Sequence, residues 1–220
     1  MTPNYELAAL KAVETLIKFN IGTAPVDPLP ILKQTPGVLV MTFEEMSNKV
    51  NMNRKDVLNI FGCENQDAVT NMYIDGEKIH YVVTYNKLLS SRILDRALAR
   101  ELGHIVLKHD GTRPESVRQE EAKCFAHNLL CPRALIYSLK ATGIRLTTEM
   151  FGNITGFYDH CLSCMRKQPA VHVPAELNSM VRDQFMPYIV NLFEFQRYAS
   201  LSDSSALVDF GTYMDGYEEV

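Results

Sequence analysis

The sequence predicts an α+β fold in which a few helices pack on one small, mainly antiparallel sheet. Residues 5–19 place their apolar side chains at helical spacing, which favours an amphipathic helix. Residues 68–75 and 78–85 have strand patterns on either side of an Asp-Gly pair, which is a strong hairpin signal. Residues 90–108 and 115–130 have the pattern of two long helices, the first followed by Asp-Gly and the second by Cys-Pro.

Local signals predict the shorter elements. Residues 37–41 form an apolar run typical of a short strand. Two short helices are expected over 43–50 and 54–61, the first capped by Thr42 with Glu45 completing a capping box. The closely spaced prolines of residues 24–30 forbid a continuous helix in that segment. Later helices are predicted at 133–139, 157–167 and 178–198, the last with an interruption at Pro187. A further short helix is predicted after a cap at Thr147 or Thr148.

Composition and charge limit the class of protein. The chain has 220 residues, is 46% hydrophobic and carries a formal net charge of −4, so nucleic acid is not the expected partner. No apolar run reaches the roughly 18 residues that a membrane span requires, so no membrane association is expected. The N-terminus lacks the basic and apolar regions of a signal peptide, and the 5 cysteines show no disulfide spacing. We therefore expect a cytoplasmic protein.

The chain divides into three predicted parts. Residues 1–170 contain the predicted compact domain, and residues 171–199 form a helical extension at its C-terminal side. Residues 200–220 are acidic, polar and small, which is typical of a mobile tail.

The segment most informative about chemistry is residues 100–104, which read Arg-Glu-Leu-Gly-His. With His at the first position, it would be the H-E-x-x-H motif. In that motif two His four residues apart share one helix face and bind Zn²⁺, and the Glu acts as general base on the metal-bound water. A third ligand comes from elsewhere, often from a Glu on a following helix.

The second long helix carries a further pattern. Residues 121–132 read E-A-K-C-F-A-H-N-L-L-C-P, and they follow the A-R-E-L-G-H of residues 99–104. In this order the two segments resemble the ImmA/IrrE family of metallopeptidases, which shows A-H-E-L-G-H followed by E-A-x-x-F-A-x-x-L-L-x-P. Residues 151–155 resemble the turn into the last core helix of that family, and the resemblance covers roughly residues 5–167.

The resemblance implies a zincin-like helical domain with a Zn²⁺ site. His104 and Glu121 would be metal ligands, and Glu101 would be the catalytic general base of a metallo-endopeptidase. The family also implies a cytoplasmic hydrolase that cleaves a helix-turn-helix repressor in stress or mobile-element control. If the metal site is inactive, the same protein partner would be bound without cleavage.

Arg100 occupies the position of the lost ligand, and three interpretations follow. Arg cannot bind zinc because it stays protonated and offers no lone pair. Arg100 could therefore pair with Glu101 or Glu121 and close the site. A replacement ligand could come from His109, Cys124 or His127, although His109 would need a helix end near Lys108 to face His104. A weak metal could also remain on His104 and Glu121 with waters.

Two other features suggest different functions. Residues 42–61 have helix-turn-helix proportions, with Arg54 and Lys55 at the start of the second helix, so a DNA-binding regulator is an alternative. Cys161 and Cys164 form a C-x-x-C pair to which His172 could add a metal ligand, but no second pair is present, and buried thiols are the simpler interpretation.

Overall fold

A computed structural model describes residues 2–60, 67–76, 78–142, 148–155 and 171–198. The chain forms two compact units. The first contains Asp27–Ala126, and the second joins Asn4–Val26 to the chain from His127 onward. Within the described residues the elements are α1 (Tyr5–Lys18), α2 (Pro28–Gln34), β1 (Val38–Thr42), α3 (Phe43–Val50), α4 (Arg54–Ile60), β2 (Ala68–Asp75), β3 (Lys78–Tyr85), α5 (Ser91–Val106), α6 (Glu115–Leu130), α7 (Arg133–Ala141), α8 (Thr148–Thr155) and α9 (Ala175–Tyr198).

The sheet of the first unit has β3 at its centre, in the order β1-β3-β2. β2 and β3 are antiparallel over the whole hairpin, from Ala68 opposite Tyr85 to Asp75 opposite Lys78. β1 runs parallel to β3, with Val38 opposite Tyr81. The α+β fold class is therefore confirmed, and its longer strand pairing is antiparallel as predicted, but the sheet as a whole is mixed.

The two faces of this sheet carry different helices. Side chains alternate between faces along a strand. On one face Met41 joins Met46 and Val57 in a buried cluster, which places α3 and α4 there. On the other face α5 packs against β2 and β3, and α2 packs against both β1 and α5. The sheet is thus covered on both sides, and α5 is the helix that carries the motif.

The start of α2 corrects the expectation drawn from the prolines. A helix begins at Pro28, where the sequence predicted none. Pro is compatible with a first helical turn, because the N–H that it lacks has no partner inside the helix at that position. Asp27 caps this helix by accepting a hydrogen bond from the Leu29 N–H at 2.9 Å.

The second unit is helical in its described residues. α9 packs against both α1 and α7. It also runs without interruption through Pro187, contrary to the prediction. Val181, Phe185 and Ile189 are fully buried and form one apolar stripe on either side of that proline. We attribute the continuity to this packing, which compensates for the one backbone hydrogen bond that proline removes.

The other element predictions agree with the structure to within about two residues, the usual uncertainty of helix ends. The capping box of Thr42 and Glu45 is present. A helix begins at Thr148. The predicted helix at 157–167 and the predicted tail at 200–220 lie outside the described residues, as do Thr147, Cys161 and Cys164. Among the described residues, no helix has the length and apolar character that crossing a bilayer demands.

Candidate functional site

The C-terminal half of the motif helix α5 is largely buried. Leu98 and Leu102 are fully buried, and Glu101 is only 9% exposed. Gly103 permits this packing: a Cβ at that position would lie 3.0–3.2 Å from side-chain atoms of Phe125 on α6. The two motif helices therefore touch at the glycine.

The end of α5 turns the chain sharply beside the motif. Lys108 has a left-handed backbone with φ +55. Its N–H bonds to the Ile105 carbonyl, and the N–H of His109 bonds to the His104 carbonyl, each at 3.0 Å. These two bonds are those of a Schellman motif. The helix end required near Lys108 is therefore present, and it brings His109 back towards His104.

A chain of polar contacts joins the predicted metal ligands. The Nδ1 atoms of His104 and His109 are 2.8 Å apart. The Nε2 atom of His109 lies 3.0 Å from Oε2 of Glu121. The same oxygen accepts a hydrogen bond from the Arg113 guanidinium at 2.7 Å, and the Glu121 side chain is 2% exposed. His109 thus stands between the two ligands that the resemblance implies.

The donors and acceptors in this series of contacts can be assigned by starting from the Glu121 carboxylate. A carboxylate only accepts, so Nε2–H of His109 donates to Glu121. In a neutral ring the other nitrogen then accepts, and His104 donates to it from Nδ1. Burial lowers the pKa of His104 to about 4, helped by His109, Arg118 and Arg100. Burial also lowers the pKa of His109, against the opposing effect of Glu121. Both rings are neutral near pH 7.

Glu101 lies beside this series of contacts, in a different environment. Burial raises the pKa of its carboxyl to about 7, while Thr70 and Arg100 act in the opposite direction. The Thr70 hydroxyl is buried near that carboxyl without reaching hydrogen-bond geometry. A carboxyl that titrates near neutral pH has the property expected of a general base, and a buried structural carboxyl would have the same property.

An open cleft of about 460 Å³ lies along α5. Thr70 and Met72 of the edge strand β2 line one side, and Tyr81 of β3 is adjacent. The polar lining from α5, α6 and the loop between them consists of Arg100, Glu101, His104, His109, Glu115, Arg118 and Gln119.

The predicted ion pair of Arg100 is not formed. Within the described chain, no salt bridge joins Arg100 to Glu101 or Glu121. Arg113 pairs with Glu121 instead. Sequence reasoning missed Arg113 because it lies in the loop before α6, eight residues from Glu121 and outside any periodic pattern. An Arg shortly before a helix that carries a buried Glu is the only signal that could have suggested it.

The other two replacement candidates lie further along α6. Cys124 is buried, with 1% of its surface exposed. It is not among the described residues that line the cleft. His127 is half-buried and belongs to the second unit. Of the proposed replacements, only His109 is brought into contact with His104 and Glu121.

These side chains do not fit a tetrahedral Zn²⁺ site as they stand. Among the described residues, no three His, Cys, Asp or Glu side chains converge on a common metal position. His109 turns one ring nitrogen to His104 and the other to Glu121, so its two nitrogens point away from a shared centre. Arg113 and His109 also both engage Oε2 of Glu121, so a metal on that oxygen would have to displace them. A closed structural zinc site requires four ligands, and a catalytic site three.

The chain matches no protein-family model, no curated protein and no solved structure. The chemistry of the site therefore follows from its own residues and their geometry.

Proposed function

We propose that this chain is a cytoplasmic regulatory protein of the ImmA/IrrE type that binds a helix-turn-helix repressor without cleaving it. The family assignment is supported by the two motif segments, residues 99–104 and 121–132. The packing of α5 against the sheet and of Gly103 against Phe125 is consistent with a metallopeptidase-like scaffold.

The contact of Arg113 with Glu121 is the observation that favours binding over cleavage. A buried carboxylate that already holds a guanidinium and an imidazole has little free energy to gain from a metal, because its charge is compensated. Arg100 adds a second positive charge at the position of the missing ligand. Both cations oppose the entry of Zn²⁺ by Coulomb repulsion.

The cleft could accept an extended segment of a protein partner. β2 is an edge strand, so one side of its backbone is not paired within the sheet of the described chain. Edge strands of this kind can add a peptide as a further strand. The volume of about 460 Å³ lies in the range of ligand pockets.

The second candidate function is an active metallo-endopeptidase. It is favoured by His109, which lies within hydrogen-bond distance of both His104 and Glu121 and could replace the lost ligand. Arg113 would have to release Glu121, and the His109 ring would have to rotate. Glu101 would then be the general base, as the resemblance implies.

One experiment separates these two functions. The untagged protein is mixed with purified helix-turn-helix repressors from the same genome, with and without added Zn²⁺, and each repressor is followed by binding titration and intact-mass spectrometry. We expect a complex in which the repressor keeps its full mass, unchanged in Glu101→Gln. Cleavage that Glu101→Gln abolishes would establish the enzyme instead, and neither binding nor cleavage would refute the assignment to this family's role.

The DNA-binding alternative is tested in the same preparation. Arg54 and Lys55 are exposed on α4, but Asp56 follows them and Val57 is buried against the sheet cluster. We expect no retention on duplex DNA at low salt. Salt-dependent retention that is lost on replacing Arg54 and Lys55 would favour DNA binding through residues 42–61.

A further inference from the structure

Two guanidinium groups face the cleft near His104. Arg100 comes from α5 and Arg118 from α6, and both line the cleft. His104 lines the same cleft, and so does Gln119, the neighbour of Arg118. The cleft therefore brings together two cations, an amide and a histidine.

Neither of these cations forms an ion pair with a described residue, although Glu101 lies within electrostatic range of Arg100 and Asp110 within that of Arg118. Within the part of the chain that the structure describes, Arg113 is paired with Glu121, whereas no carboxylate lies within 4.0 Å of Arg100 or Arg118. Arg118 is nevertheless held in place, because its Nε–H donates to the Arg113 carbonyl at 3.1 Å. That bond orients the guanidinium plane and leaves its two terminal nitrogens available.

The acidic residues of the cleft limit which anion would fit. Glu101, Glu115 and Asp67 also line it. Glu115 is exposed, Asp67 is half-buried and Glu101 is the buried member. Their charges repel a dianion more strongly than a monoanion, which disfavours phosphate. A planar guanidinium binds a carboxylate through two parallel hydrogen bonds.

We infer that Arg100 and Arg118 bind a carboxylate group of the protein partner in this cleft. The position that carries a metal ligand in the family motif would then recognise an anion. The carboxylate belongs either to an acidic side chain or to a chain terminus of the partner. The inference rests on the proposed function as a partner-binding protein, and it names the chemistry that the cleft recognises.

Short peptides test this recognition directly, through NMR chemical-shift titration of the full chain at neutral pH. One probe is an acetylated and amidated pentapeptide of alanines with a central glutamate, and its matched partner has a central glutamine. A pentapeptide of alanines with a free C-terminal carboxylate and inorganic phosphate complete the set. We expect saturable binding of at least one carboxylate peptide, about tenfold stronger than that of the glutamine peptide.

Substitutions locate the binding. Arg100→Gln and Arg118→Gln should each weaken the carboxylate peptide about tenfold, and Arg118→Lys should retain part of the affinity because it keeps the charge. Arg54→Gln, an exposed change on α4, is the matched control and should bind as the natural protein does. Thermal melts and the spectra themselves report whether each variant is folded. If Arg118→Gln does not fold, Arg118→Lys and Arg100→Gln still decide the question.

The outcomes are distinct. Selective binding of the glutamate peptide would identify an acidic side chain, and selective binding of the free terminus would identify a chain end. Equal binding of the glutamate and glutamine peptides, equal binding of phosphate, or affinity unchanged in both Gln variants would overturn the inference. A repressor complex that survives both Gln variants would overturn it while leaving the proposed function intact. Carboxylate binding without any repressor complex would refute the proposed function and leave the carboxylate site in place.

Discussion

The conformation of Lys108 decides which residues meet at the site. A left-handed backbone costs a non-glycine residue about 1 kcal/mol or more, and Asn tolerates it better than Lys. Asn20 and Asn51 occupy the equivalent position at the ends of α1 and α3. At the end of α5 the same turn is made by a lysine, and it folds His109 back onto His104. The contact between His104, His109 and Glu121 therefore depends on one strained residue outside it.

Asp95 on α5 gives a pH-dependent prediction at the residue scale. Burial, with a smaller effect of Asp27, raises its pKa from 3.8 to about 6. The folded state therefore holds the proton more tightly than the unfolded state. This contribution to stability is fully present below pH 4 and is lost as the pH rises from about 4 to 6. Asp95→Asn should raise the melting temperature at pH 7.5 and change it little at pH 4.

Thermal melts across this pH range provide the measurement. Asp183→Asn serves as the control, because Asp183 is exposed on α9 and its change should have no such pH dependence. An equal gain for Asp95→Asn at both pH values would show that the buried charge is not its cause.

At the scale of elements, the close approach of α5 and α6 fixes the site. Gly103→Ala would be stabilising by about 1 kcal/mol on helix propensity alone. Phe125 is fully buried and cannot easily move, so the added methyl group overpacks the contact. Overpacking costs about 1–3 kcal/mol. We expect a net loss of about 1 kcal/mol in the free energy of unfolding, measured by urea denaturation.

A double-mutant cycle checks the cause of that loss. In a Phe125→Leu background the smaller side chain leaves room for the methyl group, so Gly103→Ala should become neutral or stabilising there. A stabilisation of the same size in both backgrounds would mean that the two helices are not in contact at Gly103.

The sequence correctly predicts those elements that depend on residues close together in the chain. The hairpin around Asp75 and Gly76, the capping box at Thr42 and the extents of α5 and α6 depend on neighbours in sequence, and they agree with the structure. The sequence does not predict α2, because closely spaced prolines usually break a helix, whereas here Pro28 begins one. The contact of Arg113 with Glu121 connects a loop to a buried helix position, and no periodicity encodes it. The sequence thus predicts which residues lie close together better than it predicts their contacts.

At the scale of the whole molecule, two separate cations oppose a metal. Arg100 stands at the position where the H-E-x-x-H motif has a ligand, and Arg113 holds the carboxylate of Glu121. Arg100→His alone should therefore bind little zinc. Arg100→His combined with Arg113→Gln frees the carboxylate and should bind about one zinc per chain, measured by elemental analysis after dialysis.

A triple variant supplies the control for this prediction. Adding Glu121→Gln to the double variant removes the third ligand, so the bound zinc should be lost again. If Arg100→His alone takes up zinc as completely as the double variant, Arg113 is not an obstacle and the enzyme interpretation gains support.

The ion pair of Arg113 and Glu121 also has a consequence for how the site could change by single substitutions. Removing Arg113 alone would leave a nearly buried carboxylate with less compensation, at a cost of about 1–3 kcal/mol in stability. Introducing a histidine at position 100 alone would bring little zinc. Each of these two single substitutions is therefore costly or without gain of a metal by itself. Natural selection, acting on one substitution at a time, would therefore have little means of building a zinc site here.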